Sequence, residues 1–423
     1  MKRFLLSLLI LCLVLALKAE DKAPELFDIQ KELAAFEVKE VEEGDQETYG
    51  ELEFYLVTGG PGSMVWENFG HSLILMVSPS SFPVAFDWGI FTFDESFFVN
   101  FAFGRLYYEA WETRGEYRIE SLIADDRSVS ILPLELDTKE KKNLYSFLMY
   151  STEEENRTYL YDYFKDNCAT RPRDIISWIS GGELEEKLKS QKNTETLRKT
   201  VERHLSLSSF PVCWTISYLL GPEVDKESTA YEACFLPSRL EEEIAEWQGN
   251  ESVEYYLSQE RADVPEKWSL KDRSLIMGFF LLLLPLLFLP GKRFLERTGD
   301  LLLGIVYLFF GILSSVLVFF ALFTIHTVTY GNINVFIISP LAFVSSVAHF
   351  LSLGKRRRNK AIGISSAIMG AMALVTLQVR ILVPSVIQDS ISVFIPALML
   401  YLSELVVSLL LSRRKDQERK RPP

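Results

Sequence analysis

A single cysteine stands between a polar turn and the start of a helical pattern in YDYFKDNCATRPRDII, Tyr161 to Ile176. Asn167 is of a type that caps helices, Ile175, Ile176 and Ile179 form an apolar stripe at helical spacing, and Gly181 and Gly182 supply a stop. Pro172 fits the first turn, where backbone amides have no partner within the helix. A sulfur on Cys168 would then sit at the positive end of the helix dipole, flanked by Arg171 and Arg173. Both effects favour the thiolate, which is the nucleophilic form. A buried structural cysteine is the competing reading of the same position.

A thiolate nucleophile needs a base, and the chain has four histidines. His326 and His349 fall at or within strongly apolar stretches, and His204 lies in the charged helical stretch RKTVERHLSL. His71 opens the apolar run GHSLILMV directly after Gly70. A histidine at the start of a core strand can meet a cysteine at a helix start far along the chain. Taken alone, His71 reads first as a hydrogen-bonded residue at a strand edge, ahead of a catalytic base.

The elements that would hold these residues span about Tyr49 to Leu240 and read as one α+β domain. ELEFYLV alternates polar and apolar residues, SLILMV is a short apolar run, and FPVAFDWGIF ends at a glycine turn, so all three are expected as strands. TKEKKNLYSFLMYS places Leu144, Phe147 and Leu148 on one helical face, and EACFLPSRLEEEIAEW is a further helix. The aromatics of FFVNFAFGRLYYEAW are expected to pack in the core, with an apolar wall for an acyl chain as the alternative. No metal-ligand cluster and no phosphate-binding glycine loop is visible, so neither a metal nor a cofactor is expected.

The ends of the chain set the compartment. Residues 1–19 combine Lys2 and Arg3, an apolar run from Phe4 to Leu17, and the small residue Ala19, which is the anatomy of a secretory signal. An acidic segment, 20–48, follows it. After the domain, placed at 49–245, comes a polar linker at 246–273 and then a membrane domain at 274–412. Its five apolar stretches are Leu275 to Leu289, Leu301 to Ile325, Val335 to Leu353, Ala361 to Val383 and Ile391 to Leu411. Each is near the ~20 residues a bilayer-spanning helix requires, the first being short. Basic loops (Lys292, Arg293 and Arg297; Lys355 to Arg358 and Lys360) and a basic tail, 413–423, alternate with loops almost free of Lys and Arg. Positive-inside logic puts those basic segments in the cytoplasm and the domain outside. Glu404, within the last stretch, is a costly residue for a membrane interior.

The net charge of -13 is concentrated in the exported part, which argues against a nucleic-acid partner. Of the four cysteines, Cys12 belongs to the leader. An oxidising exterior permits Cys213 to pair with Cys234, which would leave Cys168 as the odd thiol.

GHSLILMV, FDWGIFTFDESFFVNFAFGRLYYEAWET, DDRSVSILPLEL and YLYDYFKDNCATRPRDII, in that order, resemble the serial motifs of the Lnb N-terminal periplasmic domain, and LGPEVD and EACFLPSRL also fit. With the membrane tail, the resemblance extends to lipoprotein N-acyltransferases of the Lnb type. It implies a permuted papain-like fold, similar to the NlpC/P60 group, in which the histidine precedes the cysteine, followed by an all-α transmembrane bundle. His71 before Cys168 fits that order. The third member is not fixed by a motif. Asp87, on the strand after His71, is taken as the group that orients the imidazole, with Asp94 and Ser72 as rivals.

The implied activity is a cysteine-dependent acyl transfer at the bacterial inner membrane, with the catalytic domain in the periplasm. A phospholipid would donate a fatty acyl group to Cys168, and the N-terminal amine of a diacylated lipoprotein would accept it. Asn167 would support the oxyanion, and Arg105, Arg127 and Arg173 would contact lipid phosphate. Two other classes use the same residues differently. A cysteine hydrolase, either a peptidase or amidase or a phospholipase, would pass the acyl group to water. A non-catalytic membrane receptor or scaffold would need neither Cys168 nor His71.

Overall fold

A computed structural model describes residues 28–93, 95–260, 263–353 and 360–420. The expected signal segment 1–19, Cys12, Asp94, the basic residues Lys355 to Arg358 and the end of the tail lie outside the described residues. The chain divides into two compact units, Met1–Glu195 with Glu227–Asp263, and Thr196–Lys226 with Val264–Pro423.

Seven strands build the first unit: β1 (Glu53–Gly59), β2 (His71–Val77), β3 (Val84–Ile90), β4 (Tyr107–Arg114), β5 (Val129–Pro133), β6 (Thr158–Leu160) and β7 (Val253–Tyr256). They form one sheet in the order β6-β4-β3-β2-β1-β5-β7, antiparallel throughout. The helices are α1 (Ile29–Ala35), α2 (Asp45–Tyr49), α3 (Glu95–Phe103), α4 (Gly115–Ala124), α5 (Thr138–Thr152), α6 (Thr170–Ile179) and α7 (Glu183–Ser190). After them come α8 (Leu197–Leu205), α9 (Phe210–Leu219), α10 (Ala230–Ala233) and α11 (Pro237–Gln248). The expected α+β class and the strands of the first half are as observed.

Side chains from both faces of the central strands are buried, which is why β2 reads as a near-continuous apolar run. One face places Phe54, Leu56, Ile74, Phe86 and Trp88 against Phe147 and Leu148 of α5 and Ile175 and Ile176 of α6. The other face, carrying Val57, Leu73, Leu75 and Ala85, packs on Leu122 of α4. Helix α5 starts where Asp137 and Glu140 form a capping box, and Leu144, Phe147 and Leu148 are fully buried as their spacing predicts. The expected helix EACFLPSRLEEEIAEW is two helices, because Pro237 begins a new one at α11.

Three expected boundaries shift. From residue 28 onward the acidic segment belongs to the domain: Ile29 and Leu33 are buried, and Gln30 donates to Asp174 at 2.5 Å. The expected linker contains β7, paired with β5, and the Tyr256 hydroxyl donates to Asp126 at 2.9 Å. Residues 196–226 group with the membrane helices because their polar atoms are satisfied there. Arg198, buried, bonds Asp225 and the carbonyls of Ser217, Leu220 and Gly221. Tyr218 donates to the Ile338 carbonyl at 3.0 Å, and Trp214 donates to that of Ser392, also at 3.0 Å.

The rest of the second unit is α12 (Leu270–Leu283), α13 (Arg293–Phe323), α14 (Asn334–Ile337), α15 (Ala342–Ser352), α16 (Lys360–Leu382) and α17 (Ile391–Lys420). Among the described residues, four helical segments are long and apolar enough to cross a membrane, where five spans were expected. The expected first span breaks: α12 ends at Leu283 and a 3₁₀ turn carrying Pro285 takes over. Proline removes a helical hydrogen bond and crowds the preceding turn, so the apolar run does not continue as one α-helix.

Candidate active site

Gly70 prepares the site. Its φ is +82°, and a Cβ there would lie 2.8 Å from the Gly59 carbonyl oxygen, so only glycine lets the chain turn into β2 this close to β1. His71 follows as the first residue of β2. Leu73 pairs with Asp87 across β2 and β3, which makes His71 and Asp87 diagonal neighbours on one face. The His71 Nε2 and Asp87 Oδ1 atoms are 2.5 Å apart. On the other carboxylate oxygen, Arg118 of α4 donates from Nε at 2.5 Å.

Cys168 lies just before α6, the helix that packs against β2. Asn167 holds that turn: its Oδ1 accepts from the amides of Ala169 at 2.8 Å and Thr170 at 2.9 Å. Its side-chain amide donates to the Tyr163 carbonyl at 3.0 Å and the Phe235 carbonyl at 2.9 Å. Both donors are thus committed, so Asn167 supports the loop and has no hydrogen left for an oxyanion. The Cys168 amide, by contrast, has no acceptor among the described residues.

His71 and Cys168 share a hydrogen bond, and the Ser72 amide also donates to the sulfur. Burial pushes the Cys168 thiol up, but the neighbouring His71 charge, its hydrogen bond and the Ser72 amide bring it below its ordinary value. Burial alone would lower His71. The charges of Asp87 and Cys168 and the hydrogen bonds to both raise it to about 9. Burial likewise opposes ionisation of Asp87, yet His71 and Arg118 together hold it at about 2. The pattern is an imidazolium–thiolate pair anchored by a buried carboxylate, with the His71 side chain still 15 % exposed.

The other sequence candidates separate. Arg127 is buried, and its Nε donates to the Gly60 carbonyl at 2.8 Å. Its Nη2 has no partner among the described residues, and Cys168 lies within its electrostatic reach. Arg173 is engaged elsewhere: it pairs with Asp174, donates to the Tyr231 carbonyl at 2.8 Å and lies over the Tyr231 ring. Arg105 lies over the Phe103 ring. The Cys213–Cys234 disulfide does not form, since both are free, buried thiols in separate compact units. Burial pushes each up to about 12, so neither competes with Cys168 as a nucleophile.

Two contributors were not foreseen, and Ser72 enters in another role. Arg118 sits in GEYRIESLIAD, where nothing but the fold links it to Asp87. Ser72, weighed as a rival to Asp87, contributes its amide to the Cys168 sulfur. Gly89, at φ +93° in a bulge of β3, would place a Cβ 3.9 Å from that of Cys168, so it keeps the approach to the sulfur low. No metal-binding group of three or more ligands occurs among the described residues.

Residues 46–203, which contain every member of this constellation, match the family model of the Lnb N-terminal periplasmic domain. Over those residues the chain is similar to the Lnb N-terminal periplasmic domain. The four apolar helical segments that follow fit the layout of a membrane protein with a periplasmic domain. No curated protein and no solved structure matched the chain.

Proposed function

We propose that this Lnb-domain protein is a cysteine-dependent lipoprotein N-acyltransferase of the bacterial inner membrane, with a permuted papain-like catalytic domain in the periplasm. The observation that carries the reading is the relay Arg118–Asp87–His71–Cys168, ending on a partly buried sulfur at the start of a helix. The order of histidine before cysteine supports the permuted assignment.

In the first half-reaction the Cys168 thiolate attacks the ester carbonyl of a phospholipid. The tetrahedral oxyanion takes a hydrogen bond from the Cys168 amide, and an amide donor of this kind is worth ~10²- to 10³-fold in rate. As the ester C–O bond breaks, His71 gives its proton to the departing alkoxide, so a lysophospholipid leaves and a thioester remains on Cys168. In the second, the neutral α-amine of a diacylated lipoprotein attacks the thioester. His71 takes the amine proton, the C–S bond breaks, and an amide and the imidazolium–thiolate pair result. Asp87 keeps the imidazole oriented and favours its charged form through both steps, and the buried Arg127 guanidinium, within electrostatic reach of Cys168, adds positive potential at the site. No cofactor is required.

The experiment is intact mass spectrometry of a reporter lipoprotein produced in cells lacking any other N-acylating enzyme. One added fatty acyl mass on its N-terminal cysteine, present with the wild type and absent with Cys168→Ala and His71→Ala, is the expected result. A reporter that stays diacylated beside folded wild-type protein overturns the transferase. Lysophospholipid and free fatty acid appearing in that case would assign the same pair to a hydrolase.

A further inference from the structure

The run ESFFVNFAF forms α3, whose described side chains carry no charge, yet only Phe103 at its end is buried. Phe98 is 69 % exposed, Phe93 59 % and Trp66 55 %. These rings form one connected surface: Trp66 meets Phe93, Phe93 meets Phe97, and Phe97 meets Phe98 and Phe101, with centroids 4.7 to 6.5 Å apart. The surface continues inward. Phe91 lies 5.3 Å from Phe97 and 4.9 Å from Tyr108, Tyr108 lies 4.5 Å from Tyr161, and Tyr161 sits in the electrostatic field of Cys168. Gly89, whose added Cβ would touch that of Cys168, is only two residues before Phe91.

A contiguous exposed apolar patch of this kind marks an interaction site. Among the described residues the same polypeptide carries four membrane-spanning candidates, and consecutive residues join its two compact units at 195–196, 226–227 and 263–264. The patch and the apolar helices thus belong to one covalent chain. Phenylalanines with a tryptophan at their margin, and a basic residue, Arg105, just beyond the helix, match the composition of elements that lie in the lipid interface.

We infer that α3 and the preceding loop form a lipid-entry surface, on which a fatty acyl tail of a bilayer lipid lies along the aromatic track with its ester end toward Cys168. This rests on the acyl-transfer reading for what happens at the sulfur, while the lipid contact itself does not depend on any reaction. The surface positions the donor and takes no part in bond making.

The test uses the full chain in phospholipid nanodiscs containing a phosphatidylethanolamine with a diazirine on its fatty acyl tail, in a Cys168→Ala background so that no transfer can occur. After irradiation and digestion, labelled peptides are located by mass spectrometry. Label within residues 91–104, in addition to the apolar helices, is expected, and the triple variant F93S/F98S/F101S should lose that label while keeping the label in the helices. Label confined to the apolar helices overturns the inference, as does undiminished label at 91–104 in the triple variant. With Cys168 restored, the triple variant should raise the KM for phospholipid and leave iodoacetamide alkylation of Cys168 unchanged. Labelling at 91–104 in a wild type that transfers no acyl group would keep the lipid surface and reject the transferase.

Discussion

Two histidines of this chain bond to carboxylates, one in each compact unit, and only one is arranged for chemistry. His71 spends one ring nitrogen on Asp87, shares a hydrogen bond with the Cys168 sulfur, and keeps part of its surface open. His349 spends both nitrogens on acids: Nδ1 is 2.9 Å from Asp300 and Nε2 is 2.8 Å from Glu404. The second oxygen of Glu404 accepts from Tyr307 at 2.5 Å and Ser366 at 2.6 Å, and the Tyr307 ring stacks on the imidazole. The side chains of His349 and Glu404 are fully buried, and no thiol takes part. The same residue types thus serve as a clamp between apolar helices when every polar atom has a partner, and as a reactive pair when one end is a polarisable nucleophile beside solvent.

That contrast can be broken most forcefully by exchanging the consequences. His71→Ala should lower acyl transfer by ~10²- to 10⁴-fold, the usual worth of a general acid–base group, with little change in melting temperature. His349→Leu should do the reverse. Removing the central partner leaves two acids buried among helices, which costs ~3–5 kcal/mol and should show as a lower melting temperature in detergent micelles, with transfer per folded molecule retained. Abolished transfer at unchanged melting temperature in His349→Leu would make the membrane cluster catalytic.

Backbone strain offers a test of intermediate size. Gly70→Ala forces a side chain into a positive-φ position against the Gly59 carbonyl and should cost ~1–3 kcal/mol, read by thermal unfolding. Smaller again is Arg118→Gln, which leaves Asp87 with His71 alone. A loss of about tenfold in transfer, one pKa unit's worth of coupling, is expected, with recovery in Arg118→Lys.

The smallest effects are in the pH response. Because the thiol of Cys168 is held below its ordinary value, its alkylation should fall less between pH 8 and 6.5 than that of a free cysteine. Asp87→Asn should move the alkylation profile toward higher pH, since the imidazolium that favours the thiolate loses its counter-charge. For stability the signs differ. His71, raised to about 9, stabilises fully below its ordinary value of 6.5, and the contribution disappears as pH rises through 9. Asp87, held at about 2, stabilises above its ordinary value of 3.8 and loses that as pH falls through 2. Thermal unfolding should therefore show a plateau of stability between about pH 4 and 6.5, and Asp87→Asn should lower it and weaken the falls on either side.

Much of this was legible in the residues, and the limits have physical causes. Cys168 before a helix and His71 after a glycine follow from local patterns that sequence carries directly, whereas Asp87 was one of three candidates until its hydrogen bond to His71 separated it from Ser72. Arg118 was not legible because its partner lies 31 residues away on a different element. The strand β7 was missed because VEYY lies at a sheet edge and its residues are mostly exposed, so no apolar alternation marks it. Aromatic crowding in α3 reads as core, and only the fold reveals that Phe93 and Phe98 face outward. Arg198 reads as a surface charge until its guanidinium is seen satisfied by three carbonyls and Asp225.

The central claim is that Cys168 carries the acyl group. The purified full chain should be incubated with a phospholipid of defined acyl length, without any lipoprotein, and weighed intact. One added acyl mass, mapped to Cys168, released by hydroxylamine and absent in Cys168→Ala, is expected. A folded wild type that gains no acyl group, or gains it on another residue, would contradict it.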